Sequence, residues 1–256
     1  MHKNNNLNGK GKEYYEDGKL KFEGEYLKGK KNGKGKEYND WNGKLIFEGE
    51  YLNVKKWKGK GYDNLNNVVY ELKEGKGYIK DYYEDGKLKF EGDYLNEKRN
   101  GKGKEYNDWN GILEFEGEYL NGKKFGKGKE YYWNTGILEF EGEYLNDKRN
   151  GKGKKYYKNG VLEFEGEYLY NYKIKGKCYI NGKLEYEGEC RYDRKWNGKG
   201  YDKNGNIIYE LINGNGKVKE YNNNGKLVFE GEYLNYKKNG KGKEYDYNGT
   251  LEFEGE

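Results

Sequence analysis

The string GKGKEY begins at Gly9, Gly33, Gly101, Gly126 and Gly240, and variants of it begin at Gly59, Gly75, Gly151, Gly176, Gly198 and Gly214. Recurrence of this kind constrains the fold before any other feature does. Each copy must be one small unit, and a unit too small to bury a core alone must bury it against its neighbours. From Gly101 the steps to Gly126, Gly151 and Gly176 are 25 residues each, whereas Gly59 to Gly75 and Gly198 to Gly214 are 16 each. The two short units, GKGYDNLNNVVYELKE and GKGYDKNGNIIYELIN, resemble each other, which points to a duplicated block of several repeats.

A second string, FEGEYL, stands at Phe22, Phe47, Phe115, Phe140, Phe164 and Phe229, with variants at Phe90 and Tyr186 and a last FEGE at Phe253. Turn signals lie between the two strings: Asp17-Gly18, Asn42-Gly43, Asn159-Gly160 and Asn224-Gly225. Asn-Gly or Asp-Gly between β-prone runs is the strongest short-range hairpin signal. With a two-residue Asp17-Gly18 loop, Tyr15 faces Leu20, Glu13 faces Phe22, Lys12 faces Glu23, Gly11 faces Gly24 and Lys10 faces Glu25. One face then carries aromatics separated by glycines, and the other carries opposite-charge cross-strand pairs. A Trp41-Asn42-Gly43 loop gives Lys36–Glu48, Lys34–Glu50 and Gly35–Gly49. An Asn134-Thr135-Gly136 loop gives Lys129–Glu141 and Lys127–Glu143. In the short unit, an Asn66-Asn67 loop sets Asp63 opposite Tyr70. The unit at Gly176 breaks the pattern, because its Asn181-Gly182 loop pairs Lys177 with Tyr186. It also holds both cysteines, Cys178 at a glycine position and Cys190 at a tyrosine position.

Composition supports strands and argues against helices. The chain lacks Ala, Ser, Gln and Pro and contains 42 glycines, and a helical domain without alanine, the best helix former, is not expected. Only 32% of residues are hydrophobic and 37% are charged, a balance that would suggest disorder were it not for 31 Tyr, 9 Phe and 5 Trp. A lone hairpin is unstable in water, so the aromatic face of each unit must close on the next. The expectation is an all-β fold: an elongated, single-layer antiparallel sheet or solenoid of about eleven tandem β-hairpins, on the order of 100 Å long. Residues 1–8 form a disordered N-terminal tail in this reading, and residues 9–256 a continuous array. An unprotected end hairpin, Lys243 to Glu256, favours edge or end-to-end pairing.

The usual chemistries find no support. A single histidine, His2, and no serine leave no Ser-His-Asp site. The glutamate pairs recur opposite lysines in nearly every unit and read as surface ion pairs. GKGK is not followed by Ser or Thr, as a phosphate-binding loop requires. Asp202–Asn206 begins like a calcium loop, but Ile207 and Asn213 stand where Gly and Glu are needed. Cys178 and Cys190 have no companions for a metal site. Neither a cofactor nor a metal is therefore expected. A net charge of +5 is not the footprint of a nucleic-acid binder. The start, MHKNNNLNGK, has no apolar stretch of the secretory kind, so a cytoplasmic, soluble protein is expected.

Two features suggest contacts. Basic pairs recur between repeats at Lys30-Lys31, Lys55-Lys56, Lys98-Arg99, Lys123-Lys124, Lys148-Arg149 and Lys237-Lys238. As successive loops along one edge they would form a stripe able to meet anionic lipid headgroups or an acidic partner. Tryptophans mark hairpin tips (Trp41, Trp109, Trp133) and inter-repeat loops (Trp57, Trp196), where they can anchor a partner or a membrane interface.

The run Phe115-Glu-Gly-Glu-Tyr-Leu-Asn-Gly-Lys-Lys-Phe-Gly-Lys-Gly-Lys-Glu-Tyr-Tyr resembles a MORN repeat, whose pattern is aromatic-x-Gly-x-aromatic, a glycine-containing loop, then Gly-x-Gly and another aromatic. The resemblance runs from about Gly9 to Glu256. It departs from the commoner pattern in having Tyr where many members have Trp, and Asn32, Asn100, Asn150 and Asn239 where His is frequent. The resemblance implies a twisted antiparallel array of hairpins with roles in scaffolding, self-association and attachment to membranes or phosphoinositides, peripheral at a membrane or the cytoskeleton. The YwqK-type bacterial repeat proteins, regarded as antitoxins, carry a similar motif. The expected function is a non-enzymatic scaffold that binds protein partners or itself. The alternatives are a peripheral binder of anionic phospholipid through the basic loops, and an antitoxin-like accessory module.

Overall fold

The computed structural model describes residues 7–83, 85–222 and 224–256. Residues 1–6 of the expected tail, His2 among them, lie outside the described residues. Leu7 and Asn8 are tied to the first inter-hairpin turn: Gly29 N–H donates to the Leu7 carbonyl at 3.0 Å and Lys28 N–H to Asn8 Oδ1 at 2.9 Å. The chain divides into two compact units, Met1–Lys123 and Lys124–Glu256.

Every regular element among the described residues is a strand. The first unit holds β1 (Gly9–Tyr14), β2 (Leu20–Leu27), β3 (Lys30–Tyr38), β4 (Leu45–Leu52), β5 (Lys55–Tyr62), β6 (Val68–Leu72), β7 (Lys76–Tyr82), β8 (Leu88–Leu95), β9 (Lys98–Tyr106) and β10 (Leu113–Leu120). The second holds β11 (Lys123–Tyr131), β12 (Leu138–Leu145), β13 (Lys148–Tyr156), β14 (Leu162–Leu169), β15 (Tyr172–Ile180), β16 (Lys183–Arg191), β17 (Arg194–Tyr201), β18 (Ile207–Leu211), β19 (Gly216–Tyr221), β20 (Leu227–Leu234), β21 (Lys237–Tyr245) and β22 (Leu251–Gly255). Taken two by two in sequence order, these 22 strands are eleven antiparallel hairpins, as expected.

Two turn types alternate. At most hairpin tips the loop is longer, as between β1 and β2, where Tyr15 N–H donates to the Lys19 carbonyl at 2.9 Å and Gly18 N–H to the Tyr15 carbonyl at 3.0 Å; the β15–β16 tip is instead a two-residue turn, Asn181-Gly182, at φ 50° and 75°. Gly18, at φ 84°, closes a three-residue loop, Glu16-Asp17-Gly18, and not the two-residue loop inferred from the sequence. A bulge beside Phe22 then sets Tyr14, and not Tyr15, opposite Leu20, while the pairs from Glu13–Phe22 to Gly9–Tyr26 fall as expected. The hairpins are joined to one another by two-residue turns in which both residues have positive φ, such as Lys28-Gly29 (50°, 72°) and Asn53-Val54 (49°, 77°). That twist matches the twist of the flanking strands.

The bulges also correct three readings. In the short hairpin β5–β6 Tyr70 faces Gly61, not Asp63, because Asn66 (φ 65°) takes the place of the tip glycine and the loop is longer. In β15–β16 a bulge absorbs Glu185, so Lys177 faces Glu187 and the charge pairs persist. Cys178 therefore faces Tyr186 as Glu13 faces Phe22, and it stands at a glutamate position, not a glycine position. Gly75 and Gly214 belong to inter-hairpin turns (φ 73° and 71°), and the residues equivalent to Gly11 in those hairpins are Ile79 and Val218, which face Gly92 and Gly231.

Hydrogen-bonded sheet order follows the sequence. In the first unit β1 to β6 form one sheet, and β7 to β10 are paired in succession beyond a break. In the second, β11 to β18 are paired in succession and β19 to β22 form a separate sheet. Both breaks follow a short hairpin, where a single bridge replaces a full ladder: Lys73–Lys76 in one case and Ile212–Asn215 in the other.

The core is a ribbon of rings lying on glycine. Phe22, Phe47, Phe90, Phe115, Phe140 and Phe164 are completely buried. A Cβ built on Gly24 would come 2.7 Å from Phe22 Cζ, and one on Gly35, in the next hairpin, 2.5 Å. The ring thus occupies the volume that both missing side chains vacate. Phe22 also meets Tyr26 edge-on at 5.7 Å and Tyr51 of the next hairpin at 5.1 Å, and Tyr51 meets Phe47 at 5.5 Å. The second unit repeats the zigzag through Tyr144, Phe140, Tyr168 and Phe164. Phe253, with no further glycine strand packed on it, is 53% exposed. Truncating Phe22 to alanine is expected to cost about 3–5 kcal/mol, and Gly35→Val to destabilise the β1–β6 sheet because its side chain would have to displace that ring. Urea unfolding of the two variants checks this, and unchanged midpoints would refute the ring-on-glycine account.

Candidate interaction surface

The strands offer a charged face, a turn edge and a tip edge. On the charged face, Lys12, Glu23, Lys36 and Glu48 succeed one another across β1 to β4, with Lys12–Glu23 at 3.3 Å and Lys36–Glu48 at 3.2 Å. A second row runs through Lys10, Glu25, Lys34 and Glu50. Between the rows a groove of about 790 Å³ is floored by Gly11, Gly24, Gly35, Gly49 and Gly59. Tyr38 donates its hydroxyl hydrogen to Glu23 at 2.8 Å, and that bond, with Lys12, holds the Glu23 carboxyl below its usual range. Burial and the same glutamate push Tyr38 up to about 12. Equivalent bonds join Tyr156 to Glu141 and Tyr179 to Glu165.

The basic pairs are not in loops. Each opens a strand immediately after an inter-hairpin turn, and strand alternation sends its two members in opposite directions. Lys30, Lys55, Lys98, Lys123, Lys148 and Lys237 are exposed. Across the turn Lys30 faces Leu27, Lys55 Leu52, Lys98 Leu95, Lys148 Leu145 and Lys237 Leu234. Of these leucines Leu27, Leu52 and Leu234 are themselves exposed, so the turn edge there carries apolar and cationic groups side by side.

The second members turn onto the aromatic ribbon. Lys31 Nζ stands 4.0 Å from the Phe22 ring centre, Lys56 5.1 Å from Phe47, the Arg99 guanidinium 4.1 Å from Phe90, that of Arg149 4.5 Å from Phe140, and Lys238 4.4 Å from Phe229. Each is also paired to a carboxylate: Lys31 with Glu13, Lys56 with Glu37 at 2.7 Å, Arg99 with Glu105, Arg149 with Glu130 and Glu139, Lys238 with Glu244. Lys124 pairs with Glu130 at 3.8 Å. These cations close the core from above, a role hidden in the sequence because a Lys-Lys pair gives no sign that its members face opposite ways.

The tip edge presents Trp41 (72% exposed), Trp109 (75%) and Trp133 (50%). Trp57 and Trp196 are not in loops; they lie in β5 and β17, and their carbonyls accept the turn N–H of Gly75 and Gly214 at 2.6 and 2.9 Å. They pack beside the turns at the two sheet breaks.

The cysteine pair replaces a device used elsewhere. Tyr26 donates to Glu13, Tyr51 to Glu37 and Tyr233 to Glu220. Cys190 and Cys178 occupy the corresponding tyrosine and glutamate positions, as free thiols packed in one cluster with Tyr186, Tyr209, Leu211 and Val218.

The MORN repeat matches residues 22–43, 90–111, 115–134, 140–161 and 229–251, and a MORN repeat variant matches 7–28, 76–96 and 214–235. The chain belongs to the MORN-repeat family. MORN repeats are generally associated with protein or membrane-lipid interaction, and MORN proteins are typically non-enzymatic scaffolds. Each longer MORN match opens at the buried Phe or close to it and ends at the tip of the following hairpin, so the family's unit spans the ring and the glycines it covers. No curated protein matches the chain. The stretches 44–75 and 162–213, which neither pattern matches, contain the two short hairpins and, in the second, the cysteine pair.

Glu163 gives the carboxylate–cation closure a pH signature. Burial raises its pKa, but Lys173 at 2.8 Å and Lys155 at 2.9 Å outweigh burial and hold it below 4.5. Its folded pKa lies below its unfolded value, so its contribution is complete above about 4.5 and is lost as pH falls through the depressed folded pKa. Glu163→Gln is therefore expected to cost about 1.5–3 kcal/mol at pH 7 and to converge on the parent chain in acid. Denaturant titrations at the two pH values check this, and a penalty independent of pH would exclude the ionic role.

Proposed function

We propose that this MORN protein is a non-enzymatic scaffold that binds protein partners, and copies of itself, along its repeated surface. The observation that carries the reading is the division of labour in every hairpin. The aromatic face is consumed internally, while the opposite face repeats an alternating Lys/Glu ladder, which flanks a glycine-floored groove across β1 to β5. A ladder of alternating sign is complementary to a copy of itself displaced by one strand, and to any partner of matching charge pattern. Sedimentation velocity over a concentration series at low and high salt, with crosslinked pull-downs in parallel, tests this. Association that weakens with salt is expected; a chain that stays monomeric throughout and recovers no partner would contradict the scaffold reading.

A second reading has its own support. The turn edge sets exposed lysines beside exposed leucines, as an anionic membrane surface requires, each cation contributing about 1 kcal/mol near such a surface. Co-sedimentation with phosphatidylserine or phosphoinositide vesicles is expected to fall on changing Lys30, Lys55, Lys98 and Lys148 to Glu, without loss of fold. Changing Lys31, Arg99 and Arg149 is expected to unfold hairpins instead. Binding to neutral vesicles that ignores both salt and these lysines would rule out the membrane reading.

A further inference from the structure

Residues 82–90, YYEDGKLKF, repeat residues 14–22 letter for letter, and residues 105–111, EYNDWNG, repeat residues 37–43. Elsewhere the repeats conserve the core strings and let the tips vary. In these two places the tips themselves are identical, and several of their contacts recur. Tyr15 donates to the Tyr38 carbonyl at 2.8 Å and Tyr83 to that of Tyr106 at 2.8 Å. Lys19 Nζ reaches Asp17 at 2.7 Å and the carbonyls of Asp40 and Trp41, both at 3.2 Å; Lys87 Nζ reaches Asp85 at 2.7 Å and the carbonyls of Asp108 and Trp109 at 3.2 and 2.9 Å. Each lysine thus clamps one hairpin tip to the next.

The clamp frames a cavity of about 700 Å³ lined by Tyr82, Tyr83, Asp85, Lys89, Asp108 and Trp109. Its chemistry suits a cation. Two aromatic hydroxyl-bearing rings and an exposed indole offer negative faces. Among the described residues the Asp108 carboxylate, like that of Asp40, makes no ion pair, and it lies near enough to Tyr83 to help burial raise the phenol's pKa. The chain's own Lys89 ammonium stands 5.5 Å from the centre of the Tyr83 ring, and Lys21 stands 5.3 Å from that of Tyr15. Among the described residues neither ammonium is within ion-pair distance of a carboxylate, whereas Lys87 and Lys19 are bound by three oxygens each. The cavity therefore already holds a cation over its ring.

We propose that the two tips are twin binding sites for arginine or lysine side chains of a basic partner segment. The incoming cation displaces Lys21 or Lys89 from the tyrosine face, takes Asp40 or Asp108 as counter-charge, and is covered by Trp41 or Trp109. The proposal rests on the partner-binding reading and names the partner's chemistry: a segment with two spaced cationic side chains engages both sites and gains from bivalency.

Tryptophan fluorescence of the full chain, titrated with an Arg-Gly repeat peptide, tests it. The expected result is a saturable change with the arginine peptide and none with its Glu-Gly counterpart. Asp40→Asn with Asp108→Asn should weaken binding about tenfold. Lys21→Met with Lys89→Met should tighten it several-fold, because the internal competitor is gone; Lys203→Met, an exposed lysine at another hairpin's tip, should not. Circular dichroism checks that these variants fold. Binding indifferent to both double changes, or binding to phosphatidylcholine vesicles in place of the peptide, would overturn the assignment. Pull-downs separate the two readings. Partner capture undiminished by the double Asn variant sinks the tip sites and leaves the scaffold standing, whereas peptide binding that behaves as expected in a chain recovering no partner sustains the tip sites and sinks the scaffold.

Discussion

Everything in this protein depends on one contact: a phenylalanine ring laid flat into the space of two absent side chains. The glycine on its own strand and the glycine on the next hairpin are equally necessary, because a Cβ on either would enter the ring's volume. The contact is strictly between neighbours. It explains how a chain only 32% hydrophobic folds: the apolar area is concentrated in rings, and each ring is used at a junction between hairpins where it buries backbone as well as side chain. The edge-on tyrosines then relay the packing onward, so that stability grows by repeated junctions and not by enlargement of a central core.

Closing the top of that ribbon required charge. Lys31, Lys56, Arg99 and Arg149 stand over the rings and are tethered by glutamates of their own or nearby strands. A cation over a ring attracts its negative face, and its paired carboxylate offsets the cost of partial burial. The arrangement converts residues that look like surface solubilisers into part of the interior. It leaves their chain neighbours, such as Lys30 and Lys98, to meet solvent or a partner.

How much of this was readable in the letters follows from which forces act locally. The hairpin count, the Gly11–Gly24 and Gly35–Gly49 pairings and the Lys/Glu ladder were legible, because alternation and turn signals act over a few residues. Details near the tips were not. A bulge moves the register by one residue without changing composition, so Tyr70 came out opposite Gly61, and Lys177 kept its glutamate through the bulge at Glu185. Likewise, the strings at Gly75 and Gly214 look like the core motif but serve as turns, since Ile79 and Val218 fill the place of Gly11. The surface was half legible. Basic pairs were visible, but their division between core and solvent depends on strand phase, which the turn residues set. The twin tips were visible only as tryptophans; the clamp by Lys19 and Lys87 needs two hairpins side by side.

The breaks after the two short hairpins have a consequence for how the protein breathes. Between β6 and β7 one bridge does the work that a full ladder does elsewhere, with Trp57 packed alongside the turn. Opening free energies in a folded chain are set region by region, and cooperative blocks end where few bonds cross. The β1–β6 sheet and the strands that begin at β7 are thus separate foldons joined by a thin seam, as are β11–β18 and β19–β22. Amide protons beside each seam would exchange through local fluctuations while those under the buried rings wait for whole blocks to open, giving the chain a compliance that uniform repetition would not have.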